Sequence, residues 1–190
     1  MNRFIQRYSL VGILTALSVM MLSTGCGREE APPPAVPASR VVSAEEAAAA
    51  VKDLMALTLP DHTGTPHALK HWEGKVLVLN YWATWCAPCK EEMPAFSRIF
   101  DKYAANGVQF IGISSDSPDE IKSFLAATPV NYPLLLGKID VVQTSTKLGN
   151  AVQALPFTVI LDRKGNVHTS KLGRLSEEAL EKHLKVVLKQ

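Results

Sequence analysis

Cys86 and Cys89, separated by two residues in Trp85-Cys86-Ala87-Pro88-Cys89-Lys90, stand where one kind of chain gives way to another. Ahead of them, Val76-Leu77-Val78-Leu79-Asn80-Tyr81-Trp82 is almost continuously apolar and bounded by polar residues, which predicts a buried strand. Behind them the pattern predicts a helix that runs to about residue 106 and is interrupted at Pro94. A dithiol at a strand-to-helix joint is the context in which this spacing serves redox chemistry. A thiol at a helix start faces unpaired backbone N–H groups and the positive end of the helix dipole, and both favour the thiolate. Thiolate is the form that attacks a disulfide, so Cys86 is the expected nucleophile. Cys89, about a turn further in, is placed to resolve a mixed disulfide from within.

Other uses of the pair fit less well. A structural zinc site needs four ligands, yet Cys26 is the one further cysteine and the five histidines show no matching spacing. A c-type haem site needs histidine where Lys90 stands. The charge balance excludes another class. Residues 1–25 hold two arginines and no acids, so the remainder carries 18 basic and 18 acidic residues. No basic stripe for nucleic acid is present.

The rest of the chain alternates. Residues 43–54 are rich in helix formers behind a capping serine, with a weak apolar stripe, and read as a short helix leading into a compact domain that starts near Leu57. A short hairpin follows over 57–66, a strand over 108–114 and a helix opening at Ser117-Pro118 and reaching about 127. A brief strand at 132–136, a helix at 141–148 and a strand at 157–162 come next. A turn then leads to a strand at 167–172, and a helix opened by Ser176 turns Leu180, Leu184, Val187 and Leu188 to one side. Such alternation predicts an α/β fold with a central mixed sheet flanked by helices.

The N-terminus is of another character. Arg3 and Arg7 precede an uncharged apolar run over 9–22, short for a membrane span and suited to a signal peptide. Its end, Leu22-Ser23-Thr24-Gly25-Cys26, resembles a bacterial lipoprotein signal in which Cys26 receives the lipid, although Ser23 stands where an aliphatic residue is usual. Ordinary cleavage and an uncleaved anchor are the alternatives. Residues 26–56 then read as a Pro/Ala-rich tether with the short helix at its end. Each alternative puts the domain outside the cytoplasm.

The segment Asn80-Tyr81-Trp82-Ala83-Thr84-Trp85-Cys86-Ala87-Pro88-Cys89-Lys90-Glu91-Glu92-Met93-Pro94, together with Leu155-Pro156-Phe157 before a strand, resembles the active-site segments of the thioredoxin superfamily. Within it the chain is most similar to the TlpA/ResA-like branch of exported, membrane-tethered thiol–disulfide oxidoreductases, over residues 57–190. The resemblance implies a thioredoxin-like fold and a cis Pro156 beside the cysteines. It also implies that the Leu155 backbone pairs with an extended client, and that Pro94 is the helix-kinking proline. Trp85 is expected at the client-facing rim and Trp82 in the core. Asn80 stands where thioredoxin has a buried aspartate that takes a proton from the second thiol. The resemblance offers Asp116 as the replacement acid, its alternative role being to cap the helix at Pro118; Glu92 is expected to be structural.

The implied reaction is thiol–disulfide exchange on exported, disulfide-containing proteins, apocytochrome c among them, with a membrane electron donor resetting the pair. No metal, haem or nucleotide cofactor is implied, and the chain is read as a membrane-anchored periplasmic monomer. Competing readings are a dithiol oxidant or isomerase, a peroxidase, and a tethered chaperone that holds a client or copper through its thiols.

Overall fold

The computed structural model describes residues 42–190. The signal peptide, Cys26 and most of the tether lie outside the described residues. Helix α1 (Ala44–Met55) is capped by Ser43, whose side chain accepts the Glu46 N–H while the Glu46 carboxylate reaches back to the cap. Strands β1 (Thr58–Pro60) and β2 (Pro66–Ala68) form a small antiparallel hairpin. Then come β3 (Val76–Tyr81), α2 (Ala87–Tyr103), β4 (Val108–Ser114) and α3 (Pro118–Ala127). After β5 (Leu134–Leu136) and α4 (Ile139–Gln143), a 3-10 stretch spans Thr144–Leu148. Strands β6 (Phe157–Leu161) and β7 (Val167–Leu172) and helix α5 (Glu177–Val187) close the fold.

Five strands make one mixed sheet in the order β5-β4-β3-β6-β7. The first three are parallel, while β6 and β7 run antiparallel to their neighbours. Strand β3 lies at the centre and is buried throughout, which is why it reads as a continuous apolar run. Its alternate residues feed two cores. Val76 and Val78, with Trp82 just past the strand's end, join the cluster with Phe96 of α2, Ile121 of α3 and Leu180 and Leu184 of α5. Leu77, Leu79 and Tyr81 join the other, with Leu54 of α1, Leu59 and Leu148.

One expectation changes. Helix α1 is not a lead-in: Ala50, Val51, Leu54 and Met55 are buried in the second cluster, so the compact body includes it ahead of Leu57. The stripe looked weak because alanines fill much of the helix, yet one narrow apolar face suffices to cover a sheet. Helix α2 carries Pro94 in its interior and, with the 3-10 turn Ala104–Asn106 behind it, covers the span expected of it. Lys90, whose carbonyl loses its N–H partner to the proline, is exposed, so water can satisfy it.

Candidate active site

Strand β3 delivers the chain to a tight turn in which the Cys86 N–H donates to the Ala83 carbonyl at 3.1 Å. Cys86 is the N-cap of α2, and Pro88 lies in the first turn, where a missing N–H is harmless. The two cysteines form a disulfide with their Cα atoms 5.3 Å apart. Cys86 Sγ also accepts the Cys89 N–H at 3.3 Å, so the helix terminus already directs a donor at this sulfur. Reduction would leave a thiolate there facing the same donor and dipole. Cys89 is wholly buried, whereas Cys86 keeps 5% of its surface open. Of the two, only Cys86 keeps any surface toward solvent.

The same helix carries a buried carboxyl. Glu92 follows Cys89 by three residues, which places both on one side of α2. It is 1% exposed. Asn80 Nδ2 donates to Glu92 Oε1 at 2.9 Å, and the Leu175 N–H donates to Oε2 at 2.9 Å. Burial outweighs these bonds and pushes the carboxyl up to about 7. Asn80 also donates to Thr158 Oγ1, its cross-strand neighbour on β6, while its own Oδ1 has no partner among the described residues. The asparagine is thus no base. It braces an acid that lies one turn from the second thiol.

Asp116 is placed differently. It does not cap α3, since Ser117 fills that position in a capping box with Glu120. Instead its Oδ2 accepts the Thr84 N–H at 2.6 Å, across the loop that leads to Cys86. Trp85 is 73% exposed beside the nucleophile, and Trp82 is buried against Phe124 with ring centroids 4.9 Å apart. An open groove of about 550 Å³, lined by Thr84, Lys90 and Phe124 among others, adjoins the cysteine turn. The Leu155–Pro156 peptide is cis, and Pro156 is buried. Among the described residues neither the N–H nor the C=O of Leu155 has a hydrogen-bond partner, although β6 begins two residues later. No cluster of three or more potential metal ligands occurs among the described residues.

The sequence named Cys26, Cys86, Cys89, Trp85, Asp116, Leu155 and Pro156, and all but Cys26 lie in the described part. It took Glu92 as structural and did not foresee its burial. The signal was present in the three-residue spacing from Cys89, but nothing local says that a glutamate will be sealed from water.

Comparisons with known proteins agree with this geometry. The AhpC/TSA family model matches residues 51–170. The thiol-disulfide oxidoreductase ResA of Bacillus cereus is 31% identical over 147 residues, 76% of this chain and 82% of that protein. A thioredoxin-related protein of Neisseria meningitidis serogroup B superposes with a TM-score of 0.63 at 33% identity, over 70% of this chain and 99% of that one. A thiol:disulfide interchange protein of Chlorobium tepidum has the same fold, with a TM-score of 0.64 at 22% identity, over 70% of this chain and 92% of that one.

Proposed function

The chain belongs to the AhpC/TSA family and is a thiol–disulfide oxidoreductase of the thioredoxin superfamily, and from that premise we propose that it reduces disulfides in exported proteins while tethered to a membrane in the periplasm. The observation that carries the reading is the asymmetry of the pair: an accessible sulfur at a helix N-terminus and a sealed one a turn inside. Cys86 thiolate attacks one sulfur of the client disulfide; a Cys86–client bond forms and the other client sulfur leaves as a thiolate. Cys89 passes its proton to Glu92 and attacks Cys86 Sγ, expelling the second client thiolate. The client has gained two electrons, and the enzyme holds the Cys86–Cys89 disulfide. A membrane donor returns two electrons and resets it.

The supporting features are of different kinds. Trp85 and the open groove suit a macromolecular client, and the unpaired backbone of Leu155 suits strand addition by an extended one. Tethering through Cys26, or through an uncleaved signal, rests on the N-terminal sequence pattern. Apocytochrome c, whose thiols must be reduced for haem attachment, is a client of the right chemistry. The cysteines themselves are the redox centre, so the reaction needs no metal, haem or nucleotide, and one copy of the chain suffices.

The acid role read for Asp116 divides between two carboxylates. Glu92 handles the proton, and Asp116 holds the Thr84 loop so that Cys86 meets the helix start. Asp116→Ala is expected to slow client reduction about tenfold, the worth of one charge-assisted hydrogen bond. Asp116→Asn, which keeps an acceptor, should stay within about twofold. Neither should move the pH profile of turnover; a shifted profile in Asp116→Asn would return the proton-transfer role to this residue.

The direction of exchange is tested by the reduction potential of Cys86–Cys89, equilibrated in thiol–disulfide buffers. A value near or below about −270 mV supports a reductant, whereas one near about −120 mV would overturn it in favour of an oxidant.

A further inference from the structure

One buried side chain closes the loop that leads into Leu155. Asn150 is 1% exposed. Its Oδ1 accepts the Ala154 N–H at 3.0 Å, and its Nδ2 donates to the Ala154 carbonyl at 2.9 Å. The same amide group donates to Ser145 Oγ at 3.3 Å, and the Asn150 N–H donates to the Ser145 carbonyl at 2.9 Å. Ser145 is itself buried, so the loop is fastened to the body of the fold. Between these ends Gln153 lies in the left-handed region with φ 52°, uncommon for a residue other than glycine, and its N–H donates to the Asn150 carbonyl at 3.0 Å.

We propose that Asn150 is a positioning residue for client recognition, acting as a surrogate strand that holds Ala154 so that Leu155 alone offers its backbone outward. The inference rests on the reading that Leu155 adds a strand from the client. A residue whose N–H and C=O both reach one amide presents them on the same side, as a strand residue does. Ala154 spends both of its groups on this clamp, and the next residue, Leu155, keeps both of its own unpaired among the described residues. Without the amide, the left-handed Gln153 has less to hold it and the loop gains other conformations. An open edge would then have to be ordered by each client that binds.

The test compares the full chain with Asn150→Ala and with Asn150→Asp, which keeps an acceptor for Ala154 N–H but sets an oxygen against its carbonyl. Two probes are used: a disulfide-bonded peptide with extended flanks, and 2-hydroxyethyl disulfide, which is too small to add a strand. Both variants are expected to raise KM for the peptide about tenfold, the worth of one or two hydrogen bonds, with kcat within about twofold. Turnover of 2-hydroxyethyl disulfide should stay unchanged, which also shows that the variants fold. The peptide is then N-methylated at one position at a time. One position should weaken binding to the unmodified enzyme about tenfold and have little further effect in the variants. If the variants keep the normal KM, or lose the small disulfide equally, the inference about Asn150 falls and the Leu155 reading stands. If no methylation weakens the unmodified enzyme, strand addition at Leu155 fails and takes the inference with it.

Discussion

Cys89→Ser is expected to stop the enzyme after one half-reaction, with the client covalently attached to Cys86. The reason lies in the burial of the pair. Cys86 remains reachable and still meets the donors of the α2 N-terminus, so attack on the client disulfide is untouched. What is lost is a nucleophile held against the new bond, and intramolecular attack of that kind is faster than attack by dilute thiol by many orders of magnitude. Steady-state client reduction should therefore fall at least about a thousandfold. A thiol-sensitive adduct of enzyme and client should accumulate on non-reducing gels. Cys86→Ser should lose turnover to the same degree and trap nothing. If the adduct forms on Cys89 instead, the roles assigned here are reversed. A tethered holdase would behave differently, binding client as well with both cysteines replaced.

Glu92→Gln should make the protein more stable and the enzyme slower. Burial raises the carboxyl from 4.5 to about 7 in the folded protein. Between those values the folded chain binds a proton that the unfolded chain has released, so stability falls as pH rises through this window. The full effect is on the order of 3 kcal/mol. Glutamine does not titrate, and the slope of Tm against pH between about 4.5 and 7 should flatten accordingly. Its amide brings a donor where a carboxylate oxygen stood. The unpaired Oδ1 of Asn80 can accept from it once the Asn80 amide turns. Above pH 7 the variant should match or exceed the parent in Tm.

Catalysis should move the other way. Only ionised Glu92 can take the proton of Cys89, so the parent should slow as pH falls through about 7. Without this base, resolution of the mixed disulfide should be about a hundredfold slower at neutral pH. The inflection near 7 should vanish from the profile. Stability and rate changing in opposite senses separates a proton-handling role from a structural one. A purely structural Glu92 would lose both together, and a parent profile without an inflection near 7 would remove it from the proton path.

What could be read in the chain was whatever rests on neighbours in sequence. The central strand is visible because burial on both faces leaves an unbroken apolar run in residues 76–82. The caps at Ser117 and Ser176 are visible because a cap bonds within its own first turn. The dithiol declares itself for the same reason, since strand, turn, cysteines and helix start follow one another directly. Alternation of strands and helices then leaves few sheets to choose from, and the mixed five-stranded one is found.

The partners of the site residues were not legible, because each is brought from far along the chain. Asp116 meets Thr84 across 32 positions, and which group it would serve could not be told from its place ahead of a helix. Helix α1 looked dispensable until the sheet face that it covers was formed. Neighbours in the chain were enough to define the chemistry: two thiols at a helix start, one of them a turn behind the other. Folding added what neighbours in the chain could not, a glutamate sealed from water one helical turn behind them. Burial raises the Glu92 carboxyl to about 7 against the pull of its hydrogen bonds from Asn80 of β3 and from the Leu175 N–H, 83 positions away, and only the finished core removes its water so completely.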